Sequence, residues 1–589
     1  MLKALPFNIY RKIATFTLFY CVVIASVGIA QNFSPKYEVR AVWISTASGD
    51  WPKTTKSEEQ QRTLVEIFDV LKQNKFNTVF FQVRPRGNVY YQSDIEPWAS
   101  HLTGMTGKDP GWDPLQFAID EARKRGLELH AWFNVAKVWG LDPPPSHPKH
   151  LFQTHREWLK KVEGEWWIDL GIPEAREYTT TVVAELIQRY DVDGIHFDFI
   201  RYPNDKFDDW VSFTQYSDGA ERSEWRRNNI TAFVRSSYEL IQKEKPWIKV
   251  GSAPLGIYQP IAGAQSSFNG FSGVFQDSRL WLREGIHDYI APQLYWSIGE
   301  QRNPNDPDFE ALSNDWTREN FGRHVYIGIG AYRENVQREI AEQIMITRNE
   351  FAHGHAFFRY ENIPPILSHL ENLYKTPALI PPMQWKDSVP PNSPRNIITA
   401  KGNGFTELRW SEPELSSDKE RPQRYVIYRS SAKNINVMKA ENILAIIPAS
   451  QKVYRDETTN GKEYFYTVTA VDKVGNESGN AGKTISEIQS LLSRYINPRA
   501  EIRLSQNFPN PVSDKTYISI EIPRQSMVTL SLKHSTAIQE TVIVQQIKEA
   551  GTHIFTIDTK NFPSGLVEYF LTTENRRLSK SFEKKQSDR

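Results

Sequence analysis

The sequence predicts a (β/α)8 TIM barrel followed by two all-β sandwich-like domains, and three observations carry this. From residue 37, eight short apolar runs alternate with amphipathic helical stretches to about residue 375. The proline-rich stretch TPALIPPMQWKDSVPPNSP then breaks the alternation. Beyond it the helical period disappears, and short alternating strands with turn-rich spacing remain. A chain of 589 residues is also too long for one hydrophobic core. The rival arrangement, a doubly wound open sheet, lacks support because no glycine-rich phosphate loop follows the first strand.

In chain order, residues 1–30 read as a secretory signal. Lys3, Arg11 and Lys12 precede an apolar run at 13–25, and SVGIA ends in small residues before Gln31. The rival, a membrane anchor, needs a longer apolar run. The single cysteine, Cys21, falls inside this segment, so the mature protein has no disulfide, thiolate metal site or cysteine nucleophile. The barrel occupies 37–375. Its strands are YEVRAVWIS, NTVFFQVRP, LELHAWFN, GIHFDFIR, IKVGSAPLG, DYIAPQLYW, HVYIGIGAY and GHAFFRYEN. The first helix starts at Ser57, with Gln60 completing a capping box. The second has Asp113 as N-cap, Pro114 at its first position and Gly126 as its stop. Further helices fall near 173–189, 223–243, 277–284 and 334–350.

A linker at 376–390 leads to a β-domain at 391–488 built on FTELRWS, RYVIYRS and EYFYTVTAVD. The last domain, 500–589, opens with RLSQNFPNPVSDKTYISIEIP. The net charge of +1 gives no electrostatic case for nucleic acid or an acidic membrane as partner. The oligomeric state is not legible.

Strand four carries the candidate chemistry. GIHFDFIRYP is a hydrophobic run interrupted by Asp198, whose ionised form is costly to bury. Alternation turns Ile195, Phe197 and Phe199 toward the helices, and His196, Asp198 and Ile200 into the barrel. Asp198 then sits toward the strand's C-terminal end, where barrel enzymes place their active groups. The same parity turns Gln82, Arg84, His130, Trp132, Asn134, Gln293 and Tyr295 inward. Trp43, Trp98, Tyr202, Trp296 and Tyr332 join Trp132 and Tyr295 at or beyond strand ends. Aromatic walls with convergent amides and arginines suit a sugar cleft. His130 and His196 have a plainer role in hydrogen bonding within the barrel. No His-x-x-x-His or cysteine-based spacing is present, so neither metal nor cofactor is expected.

The stretches RAVWIST, SDIEPWASHLTGMTGKDPGWDPLQFAIDEARKRGLELHAWFN, DVDGIHFDFIRYP, DSRLWLREGIHDYIAPQLYW and GIGAY closely resemble the family 10 glycosyl hydrolase-like proteins of bacteria. That resemblance covers 37 to about 375 and implies a barrel that hydrolyses glycans, with a polysaccharide or peptidoglycan glycan strand as partner. Asp198 corresponds to the family's strand-four acid. The chain departs from the family at Phe199, where some members carry a second acid. It departs again at Val135, Ala136 and Lys137, where Pro-Tyr-Arg is common, and at SAPLGIY in strand five.

Glycoside hydrolysis uses two carboxyl groups. Asp198 reads as nucleophile or base, held ionised by Arg84 or Arg201, against the plainer reading of a buried ion pair. For its partner, Asp169 ranks first, with Glu361 and Glu96 behind it, and Asp169 serves equally well as a helix-entry cap. The alternative function is a glycan-binding barrel without turnover. The Trp410 and 464–472 patterns resemble fibronectin type III domains. The last domain closely resembles the C-terminal sorting domain of the type IX secretion system, which implies secretion machinery as a partner and a place outside a Gram-negative outer membrane.

Overall fold

The computed structural model describes residues 34–585 except 141–142, 300–306, 460–461, 480–501, 505, 508–509, 513, 523–525, 549–550 and 574–575. The expected signal segment, 1–30, lies outside the described residues. The chain forms two compact units that divide between Glu477 and Ser478.

The first unit opens with a closed parallel barrel. Its strands are β1 (Val39–Ile44), β2 (Thr78–Arg84), β3 (Glu128–Asn134), β7 (Gly194–Asp198), β8 (Lys249–Ser252), β9 (Tyr289–Ile290) with β10 (Gln293–Leu294), β11 (His324–Ile329) and β12 (Gly354–Phe357). Neighbours pair in that order, and β12 pairs back onto β1. The sixth strand is broken in two around Ala291 and Pro292, because proline has no N–H for the ladder. Both halves still pair with β11. Between β3 and β7 the chain adds a small antiparallel sheet of β4 (Lys137–Trp139), β5 (Leu159–Val162) and β6 (Glu165–Ile168).

The outer helices are α1 (Ser57–Gln73), α2 (Pro114–Lys124), α3 (Pro173–Arg189), α4 (Trp210–Tyr216), α5 (Arg222–Glu244), α6 (Ser278–Arg283), α7 (Phe309–Arg318) and α8 (Glu334–Asn349). Asp113 caps α2 by accepting the Gln116 N–H, as expected. The capping box expected at Ser57 does not form. Gln60 turns inward, and its amide donates to the Thr54 and Leu102 carbonyls.

Strand alternation sorts the side chains into two cores. Ile195, Phe197, Phe133 and Val250 pack outward against the helices. Trp43, Phe80, Trp132, Tyr289 and Tyr326 fill the barrel. Glycines make room for the interior rings: a Cβ on Gly194 would lie 2.5 Å from the His130 ring, and one on Gly251 2.5 Å from that of Tyr289.

The N-terminal mouth is plugged. Residues 376–390 do not hang between domains: Leu379 exchanges backbone hydrogen bonds with Lys36 and Glu38. Ile380 and Met383 join the interior core, and Lys386 meets Asp288 at 2.9 Å. Behind them sits a sandwich of two three-stranded antiparallel sheets. One has β13 (Arg395–Lys401), β14 (Thr406–Ser411) and β17 (Val453–Asp456). The other has β15 (Arg424–Ser430), β16 (Ile443–Pro448) and β18 (Phe465–Val471). Arg424 reaches the buried Glu128–Lys249 pair of the barrel floor at 3.3 Å. Glu477, buried, binds Lys36 at 2.5 Å.

The second unit is itself all-β. It pairs β19 (Arg503–Leu504), β20 (Lys515–Ile522) and β23 (Gly551–Asp558) in one sheet. The other sheet holds β21 (Ser526–His534), β22 (Thr541–Lys548), β24 (Gly565–Thr572) and β25 (Arg577–Lys584). Its core includes Ile518, Ile520, Leu530 and Tyr569.

Candidate active site

Asp198 closes β7 at the C-terminal mouth and is 8% exposed. Its Oδ1 accepts the Phe199 N–H at 2.7 Å and a long contact from Gln293 Nε2 at 3.4 Å. Phe199 holds φ at 47°, in the left-handed region that an aromatic residue rarely adopts. That turn aims its N–H back at the carboxyl. Burial pushes the Asp198 carboxyl up to about 6. The Phe199 N–H, Arg201, the Trp132 indole and Lys137 pull it down, and burial wins. The indole exerts this pull without a well-aligned hydrogen bond, since Trp132 Nε1 is buried with no partner of good geometry.

Aromatic rings stand on both sides. Phe358 lies 5.3 Å from Tyr295, 6.1 Å from Tyr332 and 6.4 Å from Trp132, centroid to centroid. Tyr332 is half exposed. Across from them, the Arg201 guanidinium sits 5.2 Å from the Trp167 ring and 5.3 Å from Phe199. The Lys137 ammonium is 4.9 Å from Phe199 and binds Glu165 Oε1 at 2.5 Å. Lys137 and Trp167 are opposite one another in the β4–β6 pairing, so the inserted sheet delivers all three groups to the rim.

The structure thus brings Asp198, Trp132, Arg201, Gln293, Tyr295 and Tyr332 together. Beneath them lies a closed floor. His196 stacks on Phe80 at 4.0 Å; its Nε2 accepts the Trp43 indole N–H at 2.9 Å, and its Nδ1 lies 3.1 Å from the Tyr289 hydroxyl. Burial drives its pKa far down, so the ring is neutral and Nδ1 donates. The same hydroxyl lies 2.8 Å from His130 Nδ1. Trp43, His130 and His196 are buried in the interior core below the rim.

Several sequence expectations are corrected. Arg84 does not face into the barrel. A bulge between Gln82 and Arg84 sets Gln82 opposite Trp132 but Arg84 opposite Phe133, on the helix side. There Arg84 is fully buried and paired with Glu96 at 2.5 Å, and Tyr178 of α3 also donates to Glu96. Both side chains are fully buried. Gln82 does point inward, where its Oε1 accepts the Thr46 and Ala47 N–H groups and holds the β1 loop. Asn134 donates to the Pro85 carbonyl, while its Oδ1 has no protein partner. Tyr202 is buried beside Phe207 and Phe275, with Arg226 over its ring at 5.1 Å. Trp98 and Trp296 pack half-buried against the barrel–helix core.

Among the carboxylates, Asp169 is buried and raised by burial. Its oxygens accept the Gly171 N–H at 2.9 Å and the Ser212 hydroxyl at 2.6 Å. Glu361 is exposed at the end of strand eight and pairs with Arg359 at 2.8 Å, which also binds Asp50 at 2.7 Å. Phe358, Trp167 and Glu165 were missed. Parity applied to β12 places Phe358 inward after Ala356. No comparable signal marks Glu165, whose partner lies 28 residues away.

A family model described as "Glycosyl hydrolase-like 10" matches residues 38–346. The chain is 32% identical over 498 residues to "Glycosyl hydrolase YngK" of Bacillus subtilis (strain 168), covering 78% of this chain and 96% of that one. It is 32% identical over 343 residues to "Glycosyl hydrolase DigH" of Escherichia coli (strain K12), covering 52% of this chain and 76% of that one. With the matched region spanning the barrel and β7 with Asp198 inside it, the chain belongs to the glycosyl hydrolase-like 10 family.

Proposed function

We propose that the protein is an exported glycoside hydrolase acting on a polysaccharide or a peptidoglycan glycan strand, with Asp198 as proton donor to the leaving oxygen. The observation that carries this is the state of Asp198. A carboxyl at the barrel's catalytic mouth, pushed up to about 6 by burial, holds its proton where an ordinary aspartate does not. The sequence alone favoured a nucleophile or base held ionised by Arg84 or Arg201. Arg84 is committed to Glu96, and the pull of Arg201 is weaker than burial.

Trp132, Tyr295, Tyr332 and Phe358 offer apolar faces to sugar rings, and Gln293, Arg201 and Lys137 offer hydrogen bonds to hydroxyls. The 1–30 segment and the last domain support export to the cell exterior through the secretion machinery, with the last domain as its sorting tag and the 391–488 domain as a fibronectin-like module. A second reading, glycan binding without turnover, is favoured by one observation. Asp169 and Glu96, two of the acids that the sequence nominates as partners, have both oxygens engaged within the protein.

The test incubates the mature protein with peptide-free peptidoglycan strands and a panel of plain polysaccharides, following new reducing ends. The wild type cleaves one of them, and Asp198→Asn loses about 10²–10⁴-fold in kcat, the usual worth of general acid catalysis. Binding without new reducing ends in the wild type selects the second reading.

A further inference from the structure

We infer that Glu165, at the start of β6, is the second carboxylate of this site and activates the attacking water. The inference rests on the glycosidase reading above.

Glu165 is the acid that shares its surroundings with Asp198. Its Oε1 is bound by Lys137 at 2.5 Å, and its side chain is 38% exposed, so it is open to solvent and to a ligand arriving from it. Lys137 acts on Asp198 as well. Arg201 is attracted by both carboxylates. Both cations stand against the ring of Phe199, the residue after Asp198, at 4.9 Å for Lys137 and 5.3 Å for Arg201, and Lys137 also holds Glu165. Asp169 and Glu96 are buried with their oxygens taken, and Glu361 is tied to the Arg359–Asp50 pair.

The hairpin that carries Glu165 is fixed to the turn that carries Asp198. Its own turn, Glu163-Gly164, has both residues at positive φ, 52° and 85°, the geometry of a tight two-residue hairpin. The Ile168 N–H donates to the Ala136 carbonyl, and the Ala136 N–H donates to the Phe199 carbonyl. The Trp167 ring meets the Phe199 ring edge-on at 5.7 Å. A rigid link thus runs from Asp198 through Phe199 to the strand bearing Glu165, as a pair of reacting groups requires.

The ammonium that binds Glu165 lies 4.9 Å from the ring centroid of Phe199, which follows Asp198. Inverting glycosidases hold their two carboxyl groups about 6.5–9.5 Å apart to admit a water, which here Glu165 would activate. In the step, Asp198 gives its proton to the glycosidic oxygen, which keeps the electron pair of the breaking C–O bond. The water oxygen bonds to the anomeric carbon, and Glu165 takes the water's proton. One water is consumed, and both carboxyl groups then return to their starting states by exchange with solvent.

The experiment compares wild type, Asp198→Asn, Glu165→Gln and the double variant Lys137→Met/Glu165→Gln on the glycan that the wild type cleaves. NMR reads the anomer released first, and thermal melts check folding. Expected are a loss of about a hundredfold or more in kcat for Glu165→Gln with little change in KM, an inverted product, and no recovery in the double variant. Azide, which needs no base, restores turnover to Glu165→Ala, shown folded by its thermal melt, by forming the glycosyl azide. Near-wild-type kcat in Glu165→Gln, recovery in the double variant, a retained anomer or failure of azide rescue each overturns this role and leaves Asp198 standing. A wild type that cleaves nothing overturns the glycosidase reading and this inference with it.

Discussion

Replacing Asp198 with asparagine removes a charge that the native fold resists. The carboxyl titrates at about 6 in the barrel against an ordinary 3.8. Between those values the native state holds a proton that the unfolded chain has released, so stability falls as pH rises through the window. The loss is complete above about 6 and amounts to about 3 kcal/mol. Asparagine keeps the shape and an oxygen for the Phe199 N–H but has no charge to bury. Urea unfolding of the full mature chain, followed by tryptophan fluorescence at intervals from pH 4 to pH 8, reads the difference. The variant gains on the wild type by about 2.5 kcal/mol between pH 4 and pH 7 and then holds a nearly constant lead. Groups common to both proteins cancel in this comparison. Parallel profiles, or a variant that falls further behind as pH rises, refute the argument, because the second pattern marks a carboxylate stabilised in its ionised form.

Other outcomes follow from the same geometry. Glu96→Gln leaves the buried Arg84 guanidinium without its counter-charge and destabilises the barrel by about 3–5 kcal/mol, read as a lower urea midpoint. Tyr332→Ala removes a half-exposed ring from the cleft; KM for the cleaved glycan rises about tenfold while the melting temperature holds. Limited proteolysis of the native chain spares 376–390, because its backbone is hydrogen-bonded to Lys36 and Glu38 and its side chains plug the barrel. Rapid cutting there contradicts the docked arrangement.

The barrel was legible because its signals are local. Apolar runs and caps such as Asp113–Pro114 fix each element within its own few residues, and α3 spans the 173–189 read from periodicity. Parity placed Asp198, Trp132 and His196 inward because β3 and β7 pair without interruption. It failed at Arg84, where a one-residue bulge reverses every later side chain, and such a bulge leaves no mark in composition. Gln60 fits a capping box in sequence, yet the Thr54 and Leu102 carbonyls, brought close only by folding, capture its amide. The site suffers most from this kind of blindness. Asp198 announces itself as a charge inside an apolar strand. Glu165 is one acid among many until β4 and β6 pair and set it against Lys137. The proline-rich 376–394 stretch reads as a spacer by composition, whereas Ile380 and Met383 are core residues.

Proton donation by Asp198 ties glycan cleavage to one buried carboxyl. The rate of reducing-end release by the wild type from peptide-free peptidoglycan strands and plain polysaccharides, measured from pH 4 to pH 9, tests it most directly. Cleavage is expected, with kcat/KM falling as pH rises through about 6, the range in which Asp198 gives up its proton. A rate that climbs through 6 to a plateau, or no release at any pH from the folded protein, contradicts it.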